Sequence, residues 1–269
     1  MSRVRRLILW TPLLAAALLA GCGSLKPTVD PQVRQTLAPS GKLRVGFYAG
    51  SPTSMVKDPK TGERVGVAFD LGRELARQLD VPFEPVEFRR VAEIIDAVKT
   101  GAVDFTFTNA SEERARIIDF TPPLINLELG YLVPAGSAIQ SQAEIDQPGH
   151  RIGVSQGSSS QGKLTKAYKN AAVVPAPSLK VAAEMLTNRQ LDAFATNKAI
   201  LNEMADGLPG SRILSGNWGL ENLAIGIPKG REAGMPFMRQ FAEQVRANGL
   251  LKSIVEKSGL RGTVQAVSP

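Results

Sequence analysis

The chain is poor in the side chains on which most catalysis leans. Of its 269 residues one is a cysteine and one a histidine, and 6% are aromatic. A lone cysteine, Cys22, excludes an intrachain disulfide. A lone histidine, His150, falls at the start of a strand. It leaves no Ser-His-Asp arrangement, no nucleophilic Cys-His pair and no metal-ligand cluster in the sequence. Neither a cofactor nor a metal is expected. Apolar runs are short beyond residue 22, so no transmembrane or kinase-like region is expected after the folded part. The net charge of +7 draws on Arg3, Arg5 and Arg6. What remains is too mild, and too little clustered with aromatics, to imply nucleic acid.

What is present begins with "MSRVRRLILWTPLLAAALLAGC": a basic start, an apolar run, then small residues before the cysteine. That pattern reads as an export signal over residues 1–21, too short and too rich in small residues for a good membrane span. The alternative is a retained N-terminal anchor helix. Leu19-Ala20-Gly21-Cys22 resembles the lipobox of bacterial lipoproteins. The resemblance implies that Cys22 is lipidated, becomes the new N-terminus and tethers a soluble domain in the periplasm or at the cell surface, since two or more acyl chains hold far better than one. Residues 22–40 are polar and bear prolines, and read as the tether.

From Lys42 short apolar strands alternate with amphipathic helices. "KLRVGFYA" reads as a strand. "FDLGRELARQLD" reads as a helix capped by Asp70, with Leu71, Leu75 and Leu79 on one face. "PFEPVEF" follows as a strand, "VAEIIDAVKTG" as a helix stopped at Gly101, and "AVDFTF" as a strand. This order argues for a parallel sheet covered by helices. The programme then runs again. "LRVGFYAGS" (43–51) lines up with "HRIGVSQGS" (150–158), and "IIDAVKTGAVDFTFTN" (94–109) with "AAEMLTNRQLDAFATN" (182–197). Read as a pseudo-repeat, the chain builds two α/β lobes, each presenting one Gly-Ser loop and one Thr-Asn loop just past the carboxyl ends of its strands. Those ends are where open parallel sheets bind ligands. "ELGYLVPAG" (128–136) and "ENLAIGIPKG" (221–230) fit hinge segments, and the helical tail after them packs most simply on the first lobe.

Residues 41–258 resemble the family 3 periplasmic solute-binding proteins, which serve ABC importers of amino acids and related polar solutes. The marks are "GERVGVAFDLGRELARQL", "AVDFTF" followed by "SEERARIIDFTPP", "RIGVSQGSS", "LDAFATN" and "NGLLKSIVEKSG". The resemblance implies a monomeric α/β protein of the two-lobed periplasmic-binding-protein (Venus flytrap) type II fold with a two-strand hinge. Residues 41–132 plus 223–265 would form the first lobe and 133–222 the second. It implies capture of an amino acid or small organic anion and delivery to an ABC permease in the inner membrane.

In such proteins the arginine at the position of Arg114 clamps the ligand carboxylate. The alternative is a surface arginine paired with Glu113 or Asp119. Asn109 and Ser111 flank the same loop, Ser51 lies on the first Gly-Ser loop, and Ser158 and Ser159 offer hydroxyls and N–H groups from the second lobe. Turn chemistry or helix capping would explain those serines equally. The family's amino-acid binders place an aspartate, partner of the ligand's ammonium, where this chain has Asn197. The family's aromatic clamp is replaced by "SPTS" (51–54). Ligand contact through Arg114, Asn109, Ser111, Ser158, Ser159, Asn197 and Ser51 is therefore expected, with the preference for an ammonium in doubt. Arg89 and Arg90 read as cleft-rim cations or as solvated side chains. The competing functions are a ligand-binding partner of a membrane receptor and, less favoured, a dehydratase-like enzyme, which would need an acid or base within reach of substrate.

Overall fold

The computed structural model describes residues 29–58 and 61–264, the side chain of Val264 excepted. The segment read as an export signal and Cys22 lie outside those residues. The segment read as a tether does not stay unstructured to residue 40: helix α1 spans Pro31–Leu37, capped by the Asp30 side chain on the N–H of Gln32. Its Leu37 is buried in the core of the first lobe, so an apolar side chain every few residues was enough to dock a helix that composition alone had assigned to a linker.

The first lobe continues with strand β1 (Leu43–Tyr48), a hairpin of β2 (Val56–Lys57) and β3 (Arg64–Val65), and helix α2 (Val67–Leu79). Strand β4 (Phe83–Phe88), helix α3 (Val91–Lys99), strand β5 (Thr106–Asn109), the single turn α4 (Glu112–Ala115) and strand β6 (Ile118–Phe120) complete its first pass. Leu71, Leu75 and Leu79 do face the core together, each contributing roughly 1.5–3 kcal/mol of burial. The cap is not Asp70, however. The helix starts four residues earlier, at Val67 after Gly66, and its first N–H groups, from Val67, Ala68 and Phe69, donate to the carbonyls of Pro52, Thr53 and Ser54. A cap supplied by a distant loop is invisible to local sequence rules, and here it fixes the 51–54 loop.

Strand β7 (Ile125–Val133) leads into the second lobe, built from β8 (Arg151–Ser155), α5 (Ser159–Ala167), β9 (Ala172–Ala176), α6 (Leu179–Thr187), β10 (Ala193–Asn197), α7 (Lys198–Asp206) and β11 (Arg212–Ile213). The chain returns along β12 (Gly219–Pro228) to α8 (Met235–Ala247) and α9 (Leu250–Lys257), and ends in β13 (Thr263–Val264). Met238, Phe241, Val245 and Ile254 of the two late helices join the first core, as the tail pattern predicts.

The pseudo-repeat is physical. In the first lobe β1 pairs in parallel with β4 and, through a Val45–Phe105 bridge, with the run into β5; in the second, β8 pairs in parallel with β9 and β10. A hinge strand then adds antiparallel to each set, β12 on β5 and β7 on β10. The aligned charges match too. Arg44 binds Asp104 through its backbone N–H and guanidinium and reaches the carbonyl of Gly101. Arg151 binds Asp192 in the same way and reaches the carbonyl of Arg189.

Strands β7 and β12 cross between the lobes side by side. Leu127 packs in the first core and Tyr131 in a second-lobe cluster, so β7 passes from one lobe to the other near Glu128 and Leu129, a few residues before 132. The short β13 lies along the first-lobe end of β7 as an additional strand.

Candidate functional site

The carboxyl ends of β1 and β5 face those of β8 and β10 across a cleft, and the loops beyond them line a partly open cavity of about 60 Å3. Its walls include Tyr48, Ile94, Phe107, Ile200 and Leu223. Its polar lining includes Ser51, Thr53, Thr108, Asn109, Arg114, Ser155, Ser158, Ser159, Asn197 and Glu221. A larger outer cleft, between α3 and α5, shares Arg114, Ser158 and Ser159 with it.

Arg114 is not the surface arginine of the alternative reading. It is only 7% exposed. Nη1 donates to Thr108 Oγ1 at 2.6 Å and to the Asn109 carbonyl at 3.4 Å, and Nη2 donates across the cleft to the Gly157 carbonyl at 3.3 Å. All three acceptors are neutral, so among the described residues this buried cation has no carboxylate in direct contact. Burial pulls its pKa below the ordinary value, with Glu221 and then Glu113 partly offsetting the shift; an arginine stays charged regardless. The helix that carries it is a single turn capped by Ser111. So short a helix has little macrodipole, which makes a cation near its start inexpensive.

The serines and asparagines divide. Ser111 Oγ accepts from the Arg114 N–H and Ser158 Oγ from the Gln161 N–H, both as helix caps. Ser111 faces the outer cleft rather than the inner cavity. Ser51 is buried and hydrogen-bonds Thr53 at 2.8 Å. Asn109 uses its side-chain oxygen to accept from the Asn222 N–H, which ties the loop after β5 to the hinge strand β12. Arg90 pairs with Glu93 on its own helix, and neither it nor Arg89 lines the cavity.

Asn197 lines the cavity with both ends of its side-chain amide already bonded. Its side-chain oxygen caps α7 by accepting from the Ile200 N–H. Its amide nitrogen donates at 2.9 Å to Glu221 Oε2, while Ser159 Oγ donates at 2.9 Å to Glu221 Oε1. The sequence reading missed Glu221, a hinge-strand acid only 7% exposed. A signal was available. In "GLENLAIGIP" positions 221, 223, 225 and 227 share one face by strand alternation, and the other three are Leu, Ile and Ile in the core. The neighbour Leu220 is instead 43% exposed.

The lobes meet directly around the cavity. Tyr48 Oη donates to Ser155 Oγ at 3.2 Å from one lobe to the other. Gly157, at φ +77°, stands so close to the start of α3 that a β-carbon on it would lie 2.5 Å from the β-carbon of Ala92. Among the described residues no cluster of His, Cys, Asp and Glu could hold a metal, and no helix is long and apolar enough to cross a membrane.

Residues 43–260 match the family model of the bacterial extracellular solute-binding proteins, family 3. The ABC transporter glutamine-binding protein GlnH of Bacillus subtilis (strain 168) is 24% identical over 255 residues, covering 91% of this chain and 93% of its own. Among solved structures, a variant of ArgBP from T. maritima superposes with a TM-score of 0.75 at 22% identity, over 84% of this chain and 99% of that one. An ancestral arginine-binding protein bound to glutamine gives 0.72 at 26% identity, over 81% and 97%.

Proposed function

The chain belongs to the bacterial extracellular solute-binding proteins of family 3, solute binders rather than enzymes, and on that premise we propose that it captures an amino acid or a related small carboxylate between its lobes and delivers it to an ABC permease. Arg114 carries the reading. It is a buried cation that lines the cavity between the lobes and, among the described residues, hydrogen-bonds only neutral oxygens. A ligand carboxylate would supply the missing anion through a charge-assisted bond of roughly 1.5–3 kcal/mol. The Arg114 bond to Gly157 supports a closure step, since the same guanidinium that holds ligand on the first lobe then engages the second. Only contacts stronger in the closed form shift an open–closed equilibrium. Closed and loaded, the protein docks on its permease as a monomer held to the membrane through lipidated Cys22.

A thermal-shift panel of amino acids and small carboxylates on the full chain in detergent tests the reading, with Arg114→Ala in parallel. Ligand at about 100 times its dissociation constant adds about 2.7 kcal/mol, a shift of several degrees at this size. Shifts that vanish in Arg114→Ala support the clamp. Full binding by Arg114→Ala defeats it.

A further inference from the structure

Asn197 removes the acid that would meet an ammonium, yet the cavity does not lack an acid. Glu221 enters it from the hinge strand β12, and among the described residues Arg114 and Glu221 are the one basic and the one acidic side chain that line it. They do not pair with each other: the contacts of Arg114 are all with neutral oxygens, and those of Glu221 are with Ser159 and Asn197. One buried cation and one buried carboxylate thus face a common space, and each lacks a counter-charge in contact. A carboxylate offers about four acceptor positions. One bond on each oxygen leaves Glu221 with acceptor capacity toward the cavity.

Asn197 has the opposite standing. Its side-chain oxygen is committed to the start of α7 and its amide nitrogen is a donor aimed at Glu221, so it orients the acid instead of receiving a cation. Its identity follows from Glu221. An aspartate at 197 would set two carboxylates within 3 Å, where both cannot stay ionised.

We propose that Glu221, positioned by Asn197 and Ser159, receives the ligand's ammonium, so that the solute is an α-amino acid zwitterion and not a simple organic acid. This rests on the Arg114 reading above and names the second charge of the same site. The cavity of about 60 Å3 has room for about four to six waters at roughly 10–15 Å3 each, which suits an amino-acid head group.

Calorimetry on the full chain in detergent tests this with glycine, alanine, glutamine and arginine, set against the ammonium-free glycolate, lactate and acetate. The expected result is binding of one or more amino acids, no measurable binding of the three acids, and affinity about ten- to a hundredfold weaker in Glu221→Gln. The double variant Glu221→Gln/Asn197→Asp moves the charge to the other end of the same hydrogen bond, and recovery of affinity in it shows that the charge matters rather than the fold around Glu221. If Glu221→Gln binds amino acids as tightly as the parent, or if glycolate and lactate bind as well as glycine and alanine, the assignment of Glu221 is wrong while the Arg114 clamp stands. Loss of binding in Arg114→Ala is scored separately and bears on the clamp alone.

Discussion

Gly157→Ala is the sharpest perturbation of the closure step. The added β-carbon lies 2.5 Å from Ala92 Cβ and 2.6 Å from its backbone nitrogen, well inside the ordinary contact distance of about 3.5–4.0 Å. The obstacle is helix backbone and cannot rotate aside, so the lobes must part by about 1 Å. Parting breaks the 3.3 Å bond from Arg114 to the Gly157 carbonyl, a charged hydrogen bond of roughly 1.5–3 kcal/mol. Alanine at a left-handed φ costs a further 1–2 kcal/mol or so, but it does so in open and closed forms alike and cancels in the affinity. The expected outcome is a dissociation constant raised about ten- to a hundredfold, with the ligand-free melting temperature lowered by only about 2–8 °C. Calorimetry with the tightest amino acid of the panel measures the first, and a thermal scan the second. Small-angle scattering should show the liganded variant less compact than the liganded parent. An affinity within threefold of the parent would refute the reasoning, because it would mean that the ligand-bound lobes never approach as closely as they do here.

The repeat offers a matched pair. Asp104 has a fully buried side chain and serves both Arg44 and Arg231, so Asp104→Ala should cost roughly 3–5 kcal/mol by taking the shared anion from two part-buried cations. The equivalent Asp192→Ala should cost at least about 2 kcal/mol less, since Asp192 and Arg151 are 31% and 43% exposed and exposed pairs contribute under about 1 kcal/mol. Urea titration of both variants checks the difference. In the hinge, Lys198 hydrogen-bonds Glu128 and holds its carboxyl below the ordinary 4.5. A depressed folded pKa stabilises fully above the unfolded value and is lost on acidification. Stability referred to Glu128→Gln should therefore be constant above about pH 4.5 and decline below it, and a difference that grows at low pH would reject the pair. Calorimetry on Glu221→Gln and its double variant, and the thermal panel on Arg114→Ala, complete the set.

Much of this protein was legible before any coordinates. The two-lobed order follows from periodicity, because a strand that buries one face and a helix that buries one stripe leave distinct repeats in the sequence. The pseudo-repeat was readable through Arg44 and Asp104 against Arg151 and Asp192, whose side chains bridge the same elements in both lobes. Arg114 was singled out through the family resemblance, while its burial and its bond across the cleft to Gly157 came only with the tertiary structure.

What the chain order could not supply were the contacts made at a distance. Helix α2 is capped by the carbonyls of the 52–54 loop rather than by its own Asp70. The Asn197 amide is held by Glu221, a residue 24 places further on that no local pattern links to it. Glu221 itself, an acid in a ten-residue apolar strand, reaches the cavity lining only because β12 runs between the lobes. Local pattern fixes which elements form, since propensity and periodicity act over a few residues. The charges that confront one another across a cleft are set by how two lobes and two hinge strands pack, and that depends on the whole chain.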